Sequence, residues 1–150
     1  MSTTFYVYSL GDRWTQLLRG AGQQIPTDEI SRDPTVAEIR EVLNSLSGYR
    51  VTEDRGDGFW RADVLGLRKP RWRTAILVND LRSDDSPCAM TFEDGDCEVM
   101  VVILERLARV CGTLVLRAET SLRAVVIRVG SEPETTLQPW RVISPEWRER

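Results

Sequence analysis

The segment from residue 97 to residue 110 constrains the fold of this chain more than any other feature. If the segment is helical, its polar residues cover only about 100° of the helical wheel. These residues are Glu98, Glu105, Arg106 and Arg109. Almost all other positions are apolar, and a helix with so narrow a polar stripe is mostly buried. We therefore expect a helix that other structure covers on most sides, with Asp94 or Asp96 as its cap.

Alternating apolar and polar residues predict the strands of the covering layer. Single strands are expected at residues 4–10 and 73–80. Residues 49–65 alternate on both sides of an Arg-Gly-Asp-Gly turn, and residues 113–129 do so around Glu119-Thr120-Ser121. Each of these two segments is typical of a β-hairpin. Residues 81–95 are polar and are predicted to form a loop.

Two more helices are predicted in the first third of the chain. Asp12 can cap a short helix in which Trp14, Leu17 and Leu18 share a face. Thr35 and Glu38 have the spacing of a capping box, in which each side chain accepts a hydrogen bond from the other residue's backbone N–H. The apolar residues that follow recur on one face until Gly48, which is typical of a helix end.

These elements predict an α+β fold, with two main helices packed on one face of a mostly antiparallel sheet. Aligning Gly48 with Gly112 superimposes two strand–helix–hairpin units, which suggests a degenerate β-α-β-β duplication. The alternative is that any amphipathic helix ending in glycine before a strand would align as well. Residues 1–130 are expected to form a single domain. Residues 131–150 form a tail, rich in proline and tryptophan, that is expected to pack on the domain or on a partner.

The absence of histidine excludes several kinds of catalysis. Serine and cysteine nucleophiles usually need a neighbouring base, and histidine is the commonest one. Histidine-ligated zinc and the two-histidine iron site are excluded as well. The cysteines Cys88, Cys97 and Cys111 form no closely spaced pair. We expect all three to be free thiols, with Cys97 and Cys111 in the core and Cys88 the most exposed.

Charge and hydropathy limit the partners. The net charge of −3 argues against nucleic-acid binding, which needs a basic surface. No apolar run reaches the about 20 residues of a membrane span, and the first residues do not resemble an export signal. We therefore expect a cytoplasmic protein that binds neither nucleic acid nor membrane. No motif predicts a cofactor, and the sequence leaves the oligomeric state undetermined.

Negative charge is concentrated between Asn79 and Glu98. This segment holds seven acids and one cation, Arg82. The acids are Asp80, Asp84, Asp85, Glu93, Asp94, Asp96 and Glu98. The plainest interpretation is a solvated loop that caps the following helix. A second is a docking surface for a basic partner. A third is a Ca²⁺ or Mg²⁺ site at residues 93–98, although the distal bidentate glutamate of a calcium loop is missing.

The function predicted from this pattern is that of a small protein-binding module. A bacterial immunity protein or antitoxin that blocks the basic surface of a toxin would have these properties. The predicted partner-binding residues are the seven acids together with Trp140 and Trp147, since tryptophan is frequent at interface hot spots. Two alternatives stay open. One is an enzyme that uses carboxylates or a metal, and the other is a small-molecule-sensing scaffold with an apolar pocket near Trp60 and Trp72.

Overall fold

The computed structural model describes residues 3–68 and 72–143 of the 150-residue chain. It confirms the predicted α+β class, with one antiparallel sheet and helices around it. In chain order the elements are β1 Thr4–Ser9, α1 Arg13–Gly20, α2 Val36–Ser45, β2 Tyr49–Gly56, β3 Phe59–Gly66, β4 Arg73–Val78, β5 Met90–Gly95, α3 Cys97–Cys111, β6 Leu114–Ala118, β7 Ala124–Ile127, α4 Pro133–Thr136 and α5 Gln138–Ile143.

The sheet has seven strands in the order β2-β3-β4-β5-β1-β6-β7. Both predicted hairpins are present, β2–β3 at one edge and β6–β7 at the other. The first strand of the chain lies inside the sheet, where Phe5 pairs with Phe92 of β5 on one side and Ala118 of β6 on the other. Two strands from the second half of the chain therefore flank β1.

One face of the sheet carries the main core. Alternate residues of β1, such as Phe5 and Val7, point to this face and join a buried cluster with α2 and α3. As expected, α3 is buried over most of its surface, and even Glu105 is only 8% exposed. The capping box of α2 is confirmed, because Thr35 Oγ1 accepts from Glu38 N–H and Glu38 Oε1 accepts from Thr35 N–H.

The opposite face is covered only in part by α1. Tyr8 and Val115 of the sheet pack there with Leu18 of α1 in a second, smaller cluster. Asp12 caps α1 as predicted, since its side chain accepts from Trp14 N–H at 2.8 Å. Leu18 is buried, whereas Trp14 and Leu17 are 44% and 55% exposed. The helix of eight residues thus buries one side of the predicted apolar face and leaves the other in solvent.

The prediction of a loop over residues 81–95 is wrong, because Met90–Gly95 form the strand β5. This strand pairs with β1 and β4 and lies in the interior of the sheet. Met90 and Phe92 alternate toward the core and are fully buried. The apolar–polar alternation is present in the sequence, but the charged residues Glu93 and Asp94 made the segment resemble a loop. The true β4–β5 loop spans residues 79–89.

The described part of the predicted tail packs on the domain. Leu137 and Trp140 belong to the main core cluster, and the Trp140 ring lies 6.0 Å from the Phe5 ring between centroids. Residues 144–150, with Trp147, lie outside the described residues. Within the described ranges, no helix combines the length and the apolar character needed to cross a bilayer.

The suggested duplication stays a prediction. Each main helix is followed by an antiparallel strand pair, β2–β3 after α2 and β6–β7 after α3. These pairs form the two edges of the sheet, but in opposite order: β2 is outermost in the first pair and β7 in the second. If the two units arose by duplication, one strand pair must have changed which of its strands lies at the edge of the sheet.

Candidate functional site

The β4–β5 loop brings together three of the acids predicted to bind a partner. Asp80 lies just after β4, and Asp84 and Asp85 lie in the middle of the loop. Asp80 and Asp85 are exposed, and the described part of the chain provides neither with an ion pair. Asp80 also has a positive φ of 54°, which aspartate tolerates better than most residues. These carboxylates therefore face solvent.

Backbone hydrogen bonds hold this loop in place. Leu81 N–H donates to Gly58 O at 2.8 Å, which fixes the start of the loop to the β2–β3 turn. Cys88 N–H donates to Pro34 O at 2.9 Å, which fixes its end beside α2. In the middle, Asp84 O accepts from Ala37 N–H at 3.0 Å in the first turn of α2. A loop bound at three places loses little conformational entropy when it docks.

Asp84 is held by an arginine rather than presented freely. Arg55 donates to both of its carboxylate oxygens, Nη1 to Oδ1 at 2.9 Å and Nη2 to Oδ2 at 2.8 Å. This bidentate hydrogen bonding from Arg55 holds the pKa of Asp84 below its usual range. The pair connects the loop to β2. Among the described residues, the loop's charges without an ion pair are then Asp80, Asp85 and the exposed cation Arg82, so negative charge is in excess.

Asp57 extends this surface and was missed from the sequence. It lies in the exposed turn between β2 and β3, next to the Gly58 carbonyl that Leu81 contacts. We call the surface formed by Asp57, Asp80, Asp84 and Asp85 the acidic end. The turn itself was predicted from its glycines, but nothing local in the sequence shows that it lies against a loop more than twenty residues later.

A charged cavity of about 260 Å³ lies next to the acidic end. Glu53 is one of its lining residues, and it accepts from Trp60 Nε1–H at 2.9 Å and pairs with Arg40 Nε at 2.7 Å. The Trp60 ring itself is fully buried in the core. Charged side chains line this cavity beside Trp60. It is therefore not the apolar pocket that the sensing-scaffold alternative predicts there.

Glu93 and Asp94 lie apart from the acidic end. They are at the far end of β5, about 15 Å along the strands from the loop at the rise of roughly 3.3 Å per residue. Glu93 pairs with Arg61 at 3.1 Å, and Arg61 also contacts Asp63 at 3.2 Å. Asp94 Oδ1 accepts from Thr3 N–H at 2.9 Å. The acidic segment is thus split into two groups rather than gathered at one place.

This second group borders a shallow groove of about 320 Å³ on the open face of the sheet. Its charged lining residues are Arg61, Arg73, Asp63, Glu93 and Asp94. Because arginines and carboxylates alternate there, the groove does not concentrate negative potential as the acidic end does.

Two of the remaining predicted residues, Asp96 and Trp140, are buried and do not form a docking surface. Asp96 occupies the N-cap position of α3, one of the two positions expected, but it is 2% exposed and its side chain makes no capping hydrogen bond. Trp140 is 5% exposed in the core and thus cannot present its ring to a partner. Glu98 lies in the first turn of α3, where its charge favours the helix. Trp147 lies outside the described residues.

Cysteine and metal chemistry find little support in the geometry. All three cysteines are free and buried, including Cys88, which was expected to be exposed. Burial raises the pKa of Cys88 to about 12 and that of Cys111 to about 11, so both stay thiols at neutral pH. Over residues 3–68 and 72–143, no group of three or more His, Cys, Asp or Glu side chains is placed to hold a metal ion. The proposed Ca²⁺ or Mg²⁺ site at residues 93–98 is not formed.

Comparisons with protein-family models, with curated proteins and with solved structures find no match for this chain. A fold of this class serves many activities, so function has to be argued from the surface. The acidic end combines four carboxylates with a loop that backbone hydrogen bonds fix at both ends.

Proposed function

We propose that this chain is a small protein-binding module that docks its acidic end on a basic surface of another protein. An immunity protein or antitoxin that covers the cationic cleft of a toxin belongs to this class. The observation that carries the proposal is the exposure of Asp80 and Asp85 on a loop fixed to Gly58 and Pro34 by backbone hydrogen bonds. Charges on such a surface speed encounter with a basic partner and favour it over other proteins.

The division of the acidic segment sharpens this proposal. Glu93 is paired with Arg61, and Asp96 is buried, so neither supports the docking role. Asp57 joins the surface from a different hairpin. The proposed contact is therefore smaller than the sequence suggested, and it combines two turns instead of one long loop.

The test begins with co-purification from the native host and identification of the captured protein. The partner should have a basic surface, and its association with the chain should weaken as salt rises. The double variant Asp80→Asn/Asp85→Asn is then compared with Glu132→Gln/Glu134→Gln, which removes the same charge from exposed positions of another segment. Binding kinetics are measured at low and at physiological salt.

The proposal predicts that the first pair lowers the association rate constant by about tenfold at low salt, whereas the control changes it little. An equal effect of the two pairs would show that only total charge matters. An association that is insensitive to salt would remove the acidic end from the mechanism.

A further inference from the structure

The strand β2 is an open edge of the sheet over eight residues, Tyr49–Gly56. It pairs with β3 on one side, and among the described residues no strand pairs with its other side. Such an edge offers unpaired backbone N–H and C=O groups to another strand. The opposite edge, β7, has only four residues, and its Ala124 N–H already donates to Gln23 Oε1 at 3.1 Å.

The register of the β2–β3 hairpin shows which backbone groups of β2 are free. Gly56 lies opposite Phe59 across a two-residue turn, and Leu67 N–H donates to Gly48 O at 2.9 Å beyond the other end. Antiparallel ladder bonds involve every second residue, so the even-numbered residues of β2 bond to β3. The outward groups belong to the odd-numbered residues. These are Tyr49, Val51, Glu53 and Arg55. Of their N–H groups, that of Arg55 already donates to Asp54 Oδ1 at 2.9 Å.

The side chains of the even-numbered residues form a charge pattern that suits a second copy of the same strand. Arg50, Thr52 and Asp54 are all exposed and lie two residues apart on the open face of the sheet. Within the described ranges, neither Arg50 nor Asp54 has an ion-pair partner. An edge protected against self-association usually carries charges that repel a copy of itself. On the open face of the sheet, this edge carries one charge of each sign, Arg50 and Asp54, placed symmetrically about Thr52.

We propose that two copies of the chain associate through antiparallel pairing of their β2 strands, with the two-fold axis at Thr52. In this register Arg50 lies opposite Asp54 of the second copy, and Asp54 lies opposite Arg50 of the second copy. Both are non-hydrogen-bonded pairs, in which the Cα atoms are only about 4.5 Å apart and the side chains interact most closely.

The backbone supports the same register. Val51 then lies opposite Glu53 of the second copy, and Tyr49 lies opposite Arg55. All of these residues have outward N–H and C=O groups, as a ladder requires. At the Tyr49–Arg55 pair, Arg55 N–H has to exchange its local bond to Asp54 Oδ1 for the ladder bond, which frees that carboxylate oxygen for Arg50 of the second copy. A shift of two residues in one direction places Glu53 opposite Glu53 of the second copy, and a shift in the other direction places Arg50 opposite Thr52. Either shift removes both pairs between Arg50 and Asp54. Two-strand pairing buries little surface, so the dimer forms at micromolar to millimolar protein concentration.

The inference is independent of the proposed function. The two β2–β3 turns of an antiparallel dimer point in opposite directions, which leaves both acidic ends free. Asp80→Asn/Asp85→Asn therefore leaves the oligomeric state unchanged, and the edge variants described next leave the acidic end intact.

Charge reversal tests the register directly by sedimentation over a wide concentration range. Arg50→Asp places like charges opposite each other at both symmetric contacts, and Asp54→Arg does the same with positive charge. Each variant is expected to weaken the dimer by at least about tenfold. The double variant Arg50→Asp/Asp54→Arg restores both opposite-charge pairs and recovers the dimer. Mixing Arg50→Asp with Asp54→Arg places opposite charges at both contacts, so the mixture is expected to form a heterodimer although each variant alone dimerises weakly.

Val51→Pro is a second, backbone-level test. It removes an outward N–H of β2 without removing a β2–β3 hydrogen bond, which an edge strand tolerates. The variant is expected to remain folded by circular dichroism and to be a monomer. A wild-type chain that stays monomeric up to millimolar concentration overturns the proposal. So does a dimer that Arg50→Asp and Val51→Pro leave unchanged.

Discussion

Arg117 is a buried cation held by neutral groups, and its removal gives the most direct test of how the second face of the sheet is stabilised. It is 7% exposed, and the described part of the chain places no carboxylate within ion-pair distance of it. Its guanidinium carbon lies 4.8 Å from the Trp14 ring centroid and 5.0 Å from that of Tyr6. It donates to Tyr8 Oη at 3.1 Å and to Ser121 O at 3.2 Å.

The expected cost of Arg117→Ala follows from these contacts. The two shortest hydrogen bonds contribute about 1 to 1.5 kcal/mol each. The two closest ring contacts contribute about 0.5 to 1 kcal/mol each. Arg117→Ala also removes the desolvation cost of burying a charge that has no charged partner. This gain offsets about 1 kcal/mol of the lost stability. We expect a net loss of about 3 kcal/mol in the free energy of unfolding.

Thermal and urea unfolding measure this loss. For a chain of this length, about 3 kcal/mol lowers the Tm by about 6 to 12 °C. Arg123→Ala, on the same hairpin but exposed, is the matched control and should change stability by less than about 0.5 kcal/mol. If Arg117→Ala lowered the free energy of unfolding as little as Arg123→Ala, the contacts of the guanidinium would not stabilise this face of the sheet.

Tyr8 provides an independent readout of the same contact. Burial raises the pKa of Tyr8, and the hydrogen bond from Arg117 opposes that rise. In Arg117→Ala the pKa of Tyr8 should therefore increase further, which an alkaline titration of tyrosinate absorbance detects. Tyr8→Phe combined with Arg117→Ala should cost less than the sum of the two single changes.

Three further predictions concern other sites. Hydrogen bonding from Arg32 is the main cause that lowers the pKa of Glu38 to about 2, so its stabilisation is complete above pH 4.5 and is lost as the pH falls toward 2. Glu38→Gln keeps a capping side chain but removes the titrating carboxylate. The wild type should therefore lose about 1 kcal/mol more stability than this variant between neutral and acidic pH, a small difference because solvent screens the pair. Urea titrations at the two pH values measure this difference. Cys88, whose pKa burial raises to about 12, should react with iodoacetamide far more slowly in the native protein than in urea; equal rates would contradict its burial. Gly95→Ala should destabilise by about 3 kcal/mol or more, since the new Cβ would lie 1.9 Å from Arg73 O at a φ of +103°; a melting temperature near that of the wild type would contradict this geometry.

The sequence was sufficient to predict the elements whose signals are local. Thr35 and Glu38 define the start of α2, the turn at Gly56 and Gly58 defines the first hairpin, and the narrow polar stripe predicts the burial of α3. The strand β5 was missed because Glu93 and Asp94 look like loop residues. They are accommodated in a strand because Arg61 pairs with one and Thr3 N–H with the other, and neither contact can be read from a local window.

The candidate site was predictable only in part for the same reason. The acids of the β4–β5 loop were recognised by their charge, but their separation from Glu93 depends on β5, and the contribution of Asp57 depends on the contact between Leu81 and Gly58. Trp140 was expected to meet a partner because of its residue type. Its packing on Phe5 is a contact between residues far apart in the sequence, which composition cannot show.

The interior position of β1 has a consequence for how this protein is made. Its residues leave the ribosome well before those of β5 and β6, so Phe5 finds its neighbours only when Phe92 and Ala118 have been synthesised. Loop closure over such long stretches of chain slows folding. This apolar nascent segment therefore stays unpaired until both neighbouring strands have been synthesised, and chaperones have the best opportunity to bind it during that interval.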